Sequence, residues 1–212
     1  MTLTLYSYWR SSCSWRVRLA LGFKGISADI VPIHLVKNGG EQFAEDYAKL
    51  NPMHQVPTLV LDDGRQLTQS VAIIEFLEER WPEPALFPAD IFLRGQMREM
   101  VEIVNSGIQP VQNLSLLVML ETLQSGSKLR WGKQVIEKGL SALEKKAAET
   151  AGDFLIGNQF TAADCCLIPQ LYNARRFKCN LEALPTLLRV ETHCQQLDFF
   201  QSAHPDAQVD AQ

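Results

Sequence analysis

Hydrophobic and polar positions in the first part of the chain follow two different periods. Residues 3–8 alternate apolar and polar side chains, as a half-buried strand does, and residues 29–34 form a second strand-like run. Between them, Val17, Ala20 and Leu21 recur at helical spacing. The order of these patterns predicts a βαβ unit.

The pattern continues with one short helix, two strands and a longer helix. The polar stretch 39–51 predicts the short helix, and 56–61 predicts a strand that is entered through a proline. A turn at 62–65 leads to a returning strand at 66–68, which is a hairpin signal. Ser70 then caps the longer helix. The predicted order is β-α-β-α-β-β-α, an α/β arrangement.

Three prolines within residues 82–88 separate this region from the rest of the chain, which shows no strand alternation. After residue 92, apolar positions recur at helical spacing, with an interruption near Gly107 and Pro110. We therefore predict three parts, which are an α/β domain over 1–82, a linker over 83–92 and an all-helical domain over 93–212.

Thr161 and Asp164 stand before an apolar run that contains Leu167 and Leu171. Their spacing is that of a capping box, although Asp takes the place of the usual Glu or Gln. We expect Asp164 to be structural. The polar residues after Ser202 predict a frayed end.

Composition and charge exclude several classes of protein. The 212 residues carry a net charge of −4, and no stretch approaches the ~18 apolar residues of a membrane span. The five cysteines lack C-x-x-C spacing and the four histidines lack ligand spacing. The chain start shows no secretory leader pattern. We expect a cytoplasmic protein that binds no nucleic acid, membrane or metal.

A Ser-Ser-Cys run, Ser11 to Cys13, stands at the start of the first predicted helix. That position leaves backbone N–H groups unpaired and carries about half a positive charge, so it favours an anion. A sulfur held there is more nucleophilic because its pKa falls. Either Cys13 is the nucleophile, or Ser11 and Ser12 donate hydrogen bonds to a bound thiol, or a serine only caps the helix.

Five stretches of the sequence resemble the soluble glutathione transferases, and within them the zeta class that includes maleylacetoacetate and maleylpyruvate isomerases. They are SSCSWRVRLAL (11–21), NPMHQVPTL (51–59), QSVAIIEFLEE (69–79), IQPVQNLS (108–115) and TAADCCLIPQLYNARRF (161–177). The resemblance implies a thioredoxin-like N-terminal domain, an all-helical glutathione-transferase C-terminal domain, glutathione as cofactor and a homodimer.

The resemblance also implies which residues bind glutathione. Val56 precedes Pro57, which is similar to the family's cis-proline, and presents its backbone to the cysteinyl part. Ser70, preceded by Gln69, looks like the site for the γ-glutamyl carboxylate, and Gln42 is similar to a residue near the glycyl end. An ordinary trans proline and a plain helix cap are the alternatives. The implied set is Ser11, Ser12, Cys13, Ser14, Trp15, Arg16, Gln42, Val56, Gln69, Ser70, Gln109, Asn113, Leu114 and Ser115.

The substrates of such isomerases are dicarboxylic or diketo acids, so their pocket needs fixed positive charge. Arginine suits that task because its planar fork grips a carboxylate with two hydrogen bonds. The resemblance implies Arg10, Arg176 and Gln112 as substrate-binding residues, with amides donating to a developing enolate oxygen. Arg175 is interpreted as a solvated surface charge. Buried structural roles for Gln112 and its polar neighbours are the alternative.

The implied reaction is glutathione-dependent isomerisation of maleylacetoacetate to fumarylacetoacetate, a step of tyrosine and phenylalanine degradation. A thiolate stabilised by Ser12, with Ser11 as helper, adds to the cis double bond; rotation and elimination then give the trans product. Cys13 is the third catalytic candidate, through a mixed disulfide or thiol activation. Alternatives are a maleylpyruvate isomerase, a general transferase acting on α-haloacids and a non-catalytic scaffold.

Overall fold

The computed structural model of the chain describes residues 2–212. These residues form two compact units. The first unit comprises the chain up to Ala85 together with Leu197–Gln212, and the second comprises Leu86–Gln196. The first unit is therefore built from two separate parts of the sequence.

A mixed sheet forms the centre of the first unit. Strand β1 pairs parallel with β2 and antiparallel with β3, and β3 pairs antiparallel with β4, which gives the order β2-β1-β3-β4. Leu5 and Leu59 face each other across β1 and β3, and both are fully buried. The strands are β1 (Thr4–Ser7), β2 (Asp29–Pro32), β3 (Thr58–Val60) and β4 (Gln66–Thr68).

The helices of the first unit alternate with these strands in the predicted order, β-α-β-α-β-β-α. Ile73, Ile74 and Leu77 of the third helix are buried, so its apolar face packs into the core. This arrangement confirms the thioredoxin-like prediction. The helices are α1 (Ser12–Phe23), α2 (Glu45–Leu50) and α3 (Ser70–Arg80).

The second unit is helical, as predicted. Its first helix ends at Asn105, and a 3₁₀ turn follows at Pro110–Gln112, so the chain is interrupted where Gly107 and Pro110 predict a break. The bounds are α4 (Ile91–Asn105), α5 (Leu114–Leu123), α6 (Ser127–Thr150), α7 (Ala162–Arg176) and α8 (Pro185–Cys194).

The predicted capping box is present at the start of α7. Asp164 is fully buried, and its Oδ2 accepts hydrogen bonds from the backbone N–H and the hydroxyl of Thr161, each at 2.8 Å. Its Oδ1 accepts from the Leu155 N–H at 2.9 Å. Burial raises the pKa of this carboxyl to about 6, although the three hydrogen bonds act in the opposite direction.

The C-terminal segment, Leu197–Gln212, corrects two predictions. It is folded rather than frayed, with helix α9 (Asp198–Ala203) and a 3₁₀ turn at Pro205–Ala207. It also packs within the first unit, whereas the predicted second domain ran from 93 to 212. Phe199 explains the packing, because its Cβ lies 2.9 Å from where a Cβ on Gly22 would stand. Glycine at that position of α1 leaves room for α9.

Candidate active site

The Ser-Ser-Cys run lies at the N-terminus of α1, as the sequence predicts. Ser11 is the N-cap, and its Oγ accepts a hydrogen bond from the Ser14 N–H at 3.2 Å. Ser12 and Cys13 are the first two helical residues, and all three residues of the run are half-buried. A hydroxyl that accepts as a cap keeps its own proton to donate. Capping by Ser11 is therefore compatible with donation to an anion.

Ser14, Trp15 and Arg16, the next residues of the implied glutathione set, are buried inside the first unit. The Trp15 ring packs edge-on against His204, with ring centroids 5.1 Å apart. Arg16 Nη1 donates to the Ser70 hydroxyl at 3.2 Å. This bond joins the start of α1 to the start of α3 and places a buried positive charge behind the implied carboxylate site.

Two further residues of the implied glutathione set have unusual backbone geometry. The Val56–Pro57 peptide bond is cis, as the resemblance implies. Gln69 has φ of 70°, a left-handed backbone angle that costs a non-glycine residue about 1–3 kcal/mol and tends to occur at functional sites. The helix α3 begins directly after it, at a buried Ser70, so Gln69 is the N-cap residue and the prediction that Ser70 caps the helix is wrong. An N–H group at this helix start and the Ser70 hydroxyl are suited to a carboxylate.

Gln42 has an unsatisfied acceptor in the first unit. Its side chain is 6% exposed, and its Nε2 donates to the Leu35 carbonyl at 3.3 Å. Its Oε1 is buried, and within residues 2–212 it has no hydrogen-bond partner. Buried acceptors are rarely left unpaired, so this oxygen fits a ligand that brings an N–H group. The peptide nitrogens of glutathione are such groups.

The implied site residues of the second unit lie around the break after α4. Gln112 is buried and pairs with Gln170, donating from Nε2 to Oε1 at 2.7 Å and accepting in return at 3.3 Å. Asn113 caps α5 by accepting from the Leu114 N–H. Both side chains thus have structural partners. Gln109 is half-buried and Ser115 is exposed, which leaves their side chains accessible.

The three arginines considered for substrate binding have different surroundings. Arg10 lies over the Trp9 ring, 5.1 Å from its centroid, and is half-buried. Arg176 is exposed, and its Nη1 donates to Asn173 Oδ1 at 3.3 Å. Arg175 is an exposed charge, as expected, and both its Nη atoms bind the Glu191 carboxylate, at 2.6 and 2.5 Å. That pair raises the pKa of Arg175 above its ordinary value.

Sequence reasoning missed Arg18, the most extensively bonded charged side chain near the Ser-Ser-Cys run. It is 5% exposed, and burial lowers its pKa to about 9. A charged residue between the apolar Val17 and Leu19 was the available signal. Its partners include residues of the C-terminal segment, and the linear sequence gives no indication of them.

Among residues 2–212, no three His, Cys, Asp or Glu side chains are grouped in a way that could hold a metal ion. Over the same residues, none of the helices combines the length and the apolarity that crossing a membrane requires.

Comparisons with known proteins match the whole chain. The family model for the glutathione S-transferase N-terminal domain matches residues 10–80, and the C-terminal domain model matches 121–179. The chain is 47% identical over 206 residues to maleylacetoacetate isomerase of Mus musculus, covering 97% of this chain and 94% of that protein. It is 43% identical over 211 residues to glutathione S-transferase Z1 of Arabidopsis thaliana, covering 99% and 94%.

Two solved structures show the same likeness in three dimensions. Maleylacetoacetate isomerase from Anaeromyxobacter dehalogenans 2CP-1, with GSH bound in the active site, superposes with a TM-score of 0.91 at 50% identity, covering 100% of this chain and 98% of that one. A bacterial maleyl pyruvate isomerase of the zeta class gives a TM-score of 0.93 at 36% identity, with full coverage of both chains.

Proposed function

Because this chain belongs to the glutathione S-transferase family, we propose that it catalyses the glutathione-dependent cis–trans isomerisation of maleylacetoacetate to fumarylacetoacetate. The single observation that carries the proposal is the start of α1, where Ser11 and Ser12 stand half-buried at a helix N-terminus. Identity of 47% to the mouse isomerase over nearly the full length supports the choice of reaction.

Residues of the first unit would hold glutathione. Arg16 and Ser70 offer a buried charge and a hydroxyl for the γ-glutamyl carboxylate, the Val56 backbone serves the cysteinyl part, and Gln42 Oε1 accepts an N–H. When bound, glutathione supplies a sulfur nucleophile that adds to the double bond and later leaves. It is therefore a cofactor rather than a consumed substrate.

Ser12 is the residue proposed to stabilise the thiolate. It is the first residue of α1, where the helix dipole already favours negative charge. Its hydroxyl donates to the sulfur, which lowers the pKa of the thiol and increases the fraction of nucleophile at neutral pH. Ser11 helps in two ways, because it caps the helix and keeps a proton to donate.

Substrate binding is proposed for Arg10, Arg176 and Gln112. Arg10 and Arg176 are at least partly exposed, so each guanidinium can donate hydrogen bonds to a carboxylate of the substrate. Gln112 keeps one amide N–H beyond its bond to Gln170, and this N–H suits the negative charge that builds on the substrate's carbonyl oxygen. Arg176 and Gln112 belong to the helical unit, whereas Arg10 belongs to the unit with the sheet.

A second candidate substrate is maleylpyruvate. The TM-score of 0.93 to a zeta-class maleyl pyruvate isomerase favours it, whereas the lower identity of 36% favours maleylacetoacetate. The proposed physiological setting is tyrosine and phenylalanine degradation by a cytoplasmic homodimer. The odd number of cysteines without paired spacing supports a reducing compartment, and the dimer rests on the family resemblance.

The test is conversion of maleylacetoacetate by the purified protein, with and without glutathione, alongside Ser12→Ala. Removing the hydroxyl should lower kcat about a hundredfold, as loss of one oriented donor to a developing or stabilised anion does. Ser141→Ala, at an exposed serine of α6, is the matched control and should keep full activity. Retained glutathione binding without turnover of maleylacetoacetate would contradict the proposal and direct the assay to maleylpyruvate.

A further inference from the structure

The C-terminal segment reaches the loop that carries the Ser-Ser-Cys run. Asp210 Oδ2 accepts a hydrogen bond from the backbone N–H of Trp9 at 3.0 Å, although 201 residues separate the two in sequence. Trp9 lies two residues before Ser11, the N-cap of α1. A bond at this point therefore acts on the chain directly before the proposed thiolate site.

Arg18 holds the same loop from inside the first unit. Its Nη2 donates to the Trp9 carbonyl at 2.9 Å, and its Nη1 donates to Ser7 Oγ at 3.1 Å. Its Nε donates to the Ala203 carbonyl at 3.0 Å, so the same guanidinium also binds the end of α9. One side chain thus joins the end of β1, the loop and the C-terminal segment.

Both backbone polar groups of Trp9 are consequently held by a charged side chain. Asp210 binds its N–H, and Arg18 binds its C=O. The preceding carbonyl, that of Tyr8, accepts the Ser11 N–H at 2.9 Å and lies 3.5 Å from Arg18 Nη1. The turn from Tyr8 to Ser11 places the cap of α1. Two charged residues therefore bond to the backbone of that turn.

The negative charge of Asp210 also stabilises the buried Arg18 guanidinium. Burial of Arg18 disfavours the charged guanidinium, and the negative charge of Asp210 acts against that penalty. A neutral side chain at 210 could accept the Trp9 N–H, but it would not compensate Arg18. This requirement distinguishes Asp210 from Asp206, an exposed carboxylate in the same segment.

We propose that Arg18 and Asp210 are positioning residues of the thiolate site, through which the C-terminal segment fixes the backbone of Trp9 and with it the placement of Ser11 and Ser12. The inference rests on the proposed function, because it concerns the same sulfur. Oriented donors lose much of their effect when they are displaced by about 1 Å. A loop released from Asp210 would leave the fold in place and misplace the hydroxyls.

The experiment compares Asp210→Ala, Asp210→Asn and a chain that ends at Val209 with the wild type and the control Asp206→Ala. Three quantities are measured on each, which are the pKa of the bound glutathione thiol from its ultraviolet thiolate absorbance, kcat and KM for the isomerisation, and Tm. We expect Asp210→Ala and the shortened chain to raise the thiol pKa and to lower kcat about tenfold, with KM for glutathione changed less than about threefold. Asp210→Asn should fall between them and the wild type.

A purely structural role gives a different result. Asp210→Ala would then lower Tm while the thiol pKa equals that of Asp206→Ala and kcat stays within about twofold of the Asp206→Ala value, and this outcome overturns the inference. The thiol pKa is measured without maleylacetoacetate, so it separates the two proposals. If the wild type binds the thiolate but does not isomerise, a shift in Asp210→Ala still supports the positioning role. If the wild type binds no thiolate, the positioning role is overturned.

Discussion

The starts of α1 and α7 use small polar side chains in different ways. At α7, Thr161 and Asp164 bond to each other and to the backbone, and the carboxylate stands within the first turn. At α1, the first turn holds no acidic residue, and Ser11 and Ser12 are half-buried. The start of α7 therefore contains its own anion, whereas the start of α1 keeps its positive potential for an anion from outside. The exposure of the polar side chains and the presence of an acidic residue in the first turn therefore distinguish a structural cap from a candidate site.

The largest effect should come from removing the internal anion of α7. Asp164→Ala leaves two backbone N–H groups and one hydroxyl without their buried acceptor, which costs about 3–5 kcal/mol of the free energy of unfolding. Urea denaturation measures the loss. Asp153→Ala, at an exposed carboxylate of the preceding loop, should change stability by less than about 0.5 kcal/mol. Equal effects of the two variants would show that the α7 cap is dispensable.

The pH dependence of stability tests the same carboxyl. Burial raises the pKa of Asp164 from 3.8 to about 6, so between these values the folded state binds the proton more tightly than the unfolded state. The contribution of Asp164 is fully present below pH 3.8 and is lost as the pH rises through 6, a change of about 3 kcal/mol.

Asp164→Asn removes this titration, so the difference between wild type and variant isolates it. The free energy of unfolding of the wild type, measured relative to that of Asp164→Asn, should fall from pH 4 to pH 6, a window set by the two pKa values. A difference that is flat across this window would mean that the carboxyl is not raised.

An acidic residue at the N-cap of α1 should make this helix start resemble that of α7, which carries its own negative charge. Asp is as good an N-cap as Ser, so Ser11→Asp should keep the free energy of unfolding within about 0.5 kcal/mol. Its charge repels a thiolate, so the affinity for glutathione should fall about tenfold and the pKa of the bound thiol should rise. Calorimetry and thiolate absorbance measure the two effects.

Ser11→Ala is the comparison for that variant. It removes the cap without adding charge, so it should cost about 1 kcal/mol of stability. Its effect on the pKa of the bound thiol should be smaller than that of Ser11→Asp. Equal shifts in the two variants would contradict the electrostatic explanation and leave only the lost hydroxyl.

The smallest effect is expected at Cys13. If the serines stabilise the sulfur of glutathione, Cys13→Ala should keep kcat within about twofold of the wild type, because its thiol takes no covalent part. Steady-state kinetics measure this, and mass spectrometry of the protein incubated with glutathione detects a mixed disulfide. A loss of activity as large as that in Ser12→Ala would indicate that Cys13 is the nucleophile.

Local patterns predicted most of the fold and the start of the site. Alternation and helical spacing gave the order of strands and helices in the first unit, and the Ser-Ser-Cys run gave the cap of α1. These features depend on residues a few positions apart. The spacing of apolar residues predicts such local structure well, because side chains repeat about every 3.6 residues in a helix and every 2 residues in a strand.

The features that sequence reasoning missed are bonds between distant residues. Gln112 and Gln170 pair across 58 positions, and Arg18 binds Ala203 across 185. The pairing of Arg175 with Glu191 crosses from α7 to α8. No local pattern encodes such partners. The polar composition after Ser202 therefore predicted a frayed end, whereas specific hydrogen bonds hold it.

The two-part composition of the first unit has a consequence for its synthesis. Chains leave the ribosome N-terminal end first, and domains generally fold as they become complete. Here the stretch Leu86–Gln196 is translated between the two parts of one unit. Arg18 lacks the Ala203 carbonyl, and Trp9 lacks Asp210, until residues 203 and 210 have been translated. The unit whose sequence begins first can thus be the last to reach its final form in the cell.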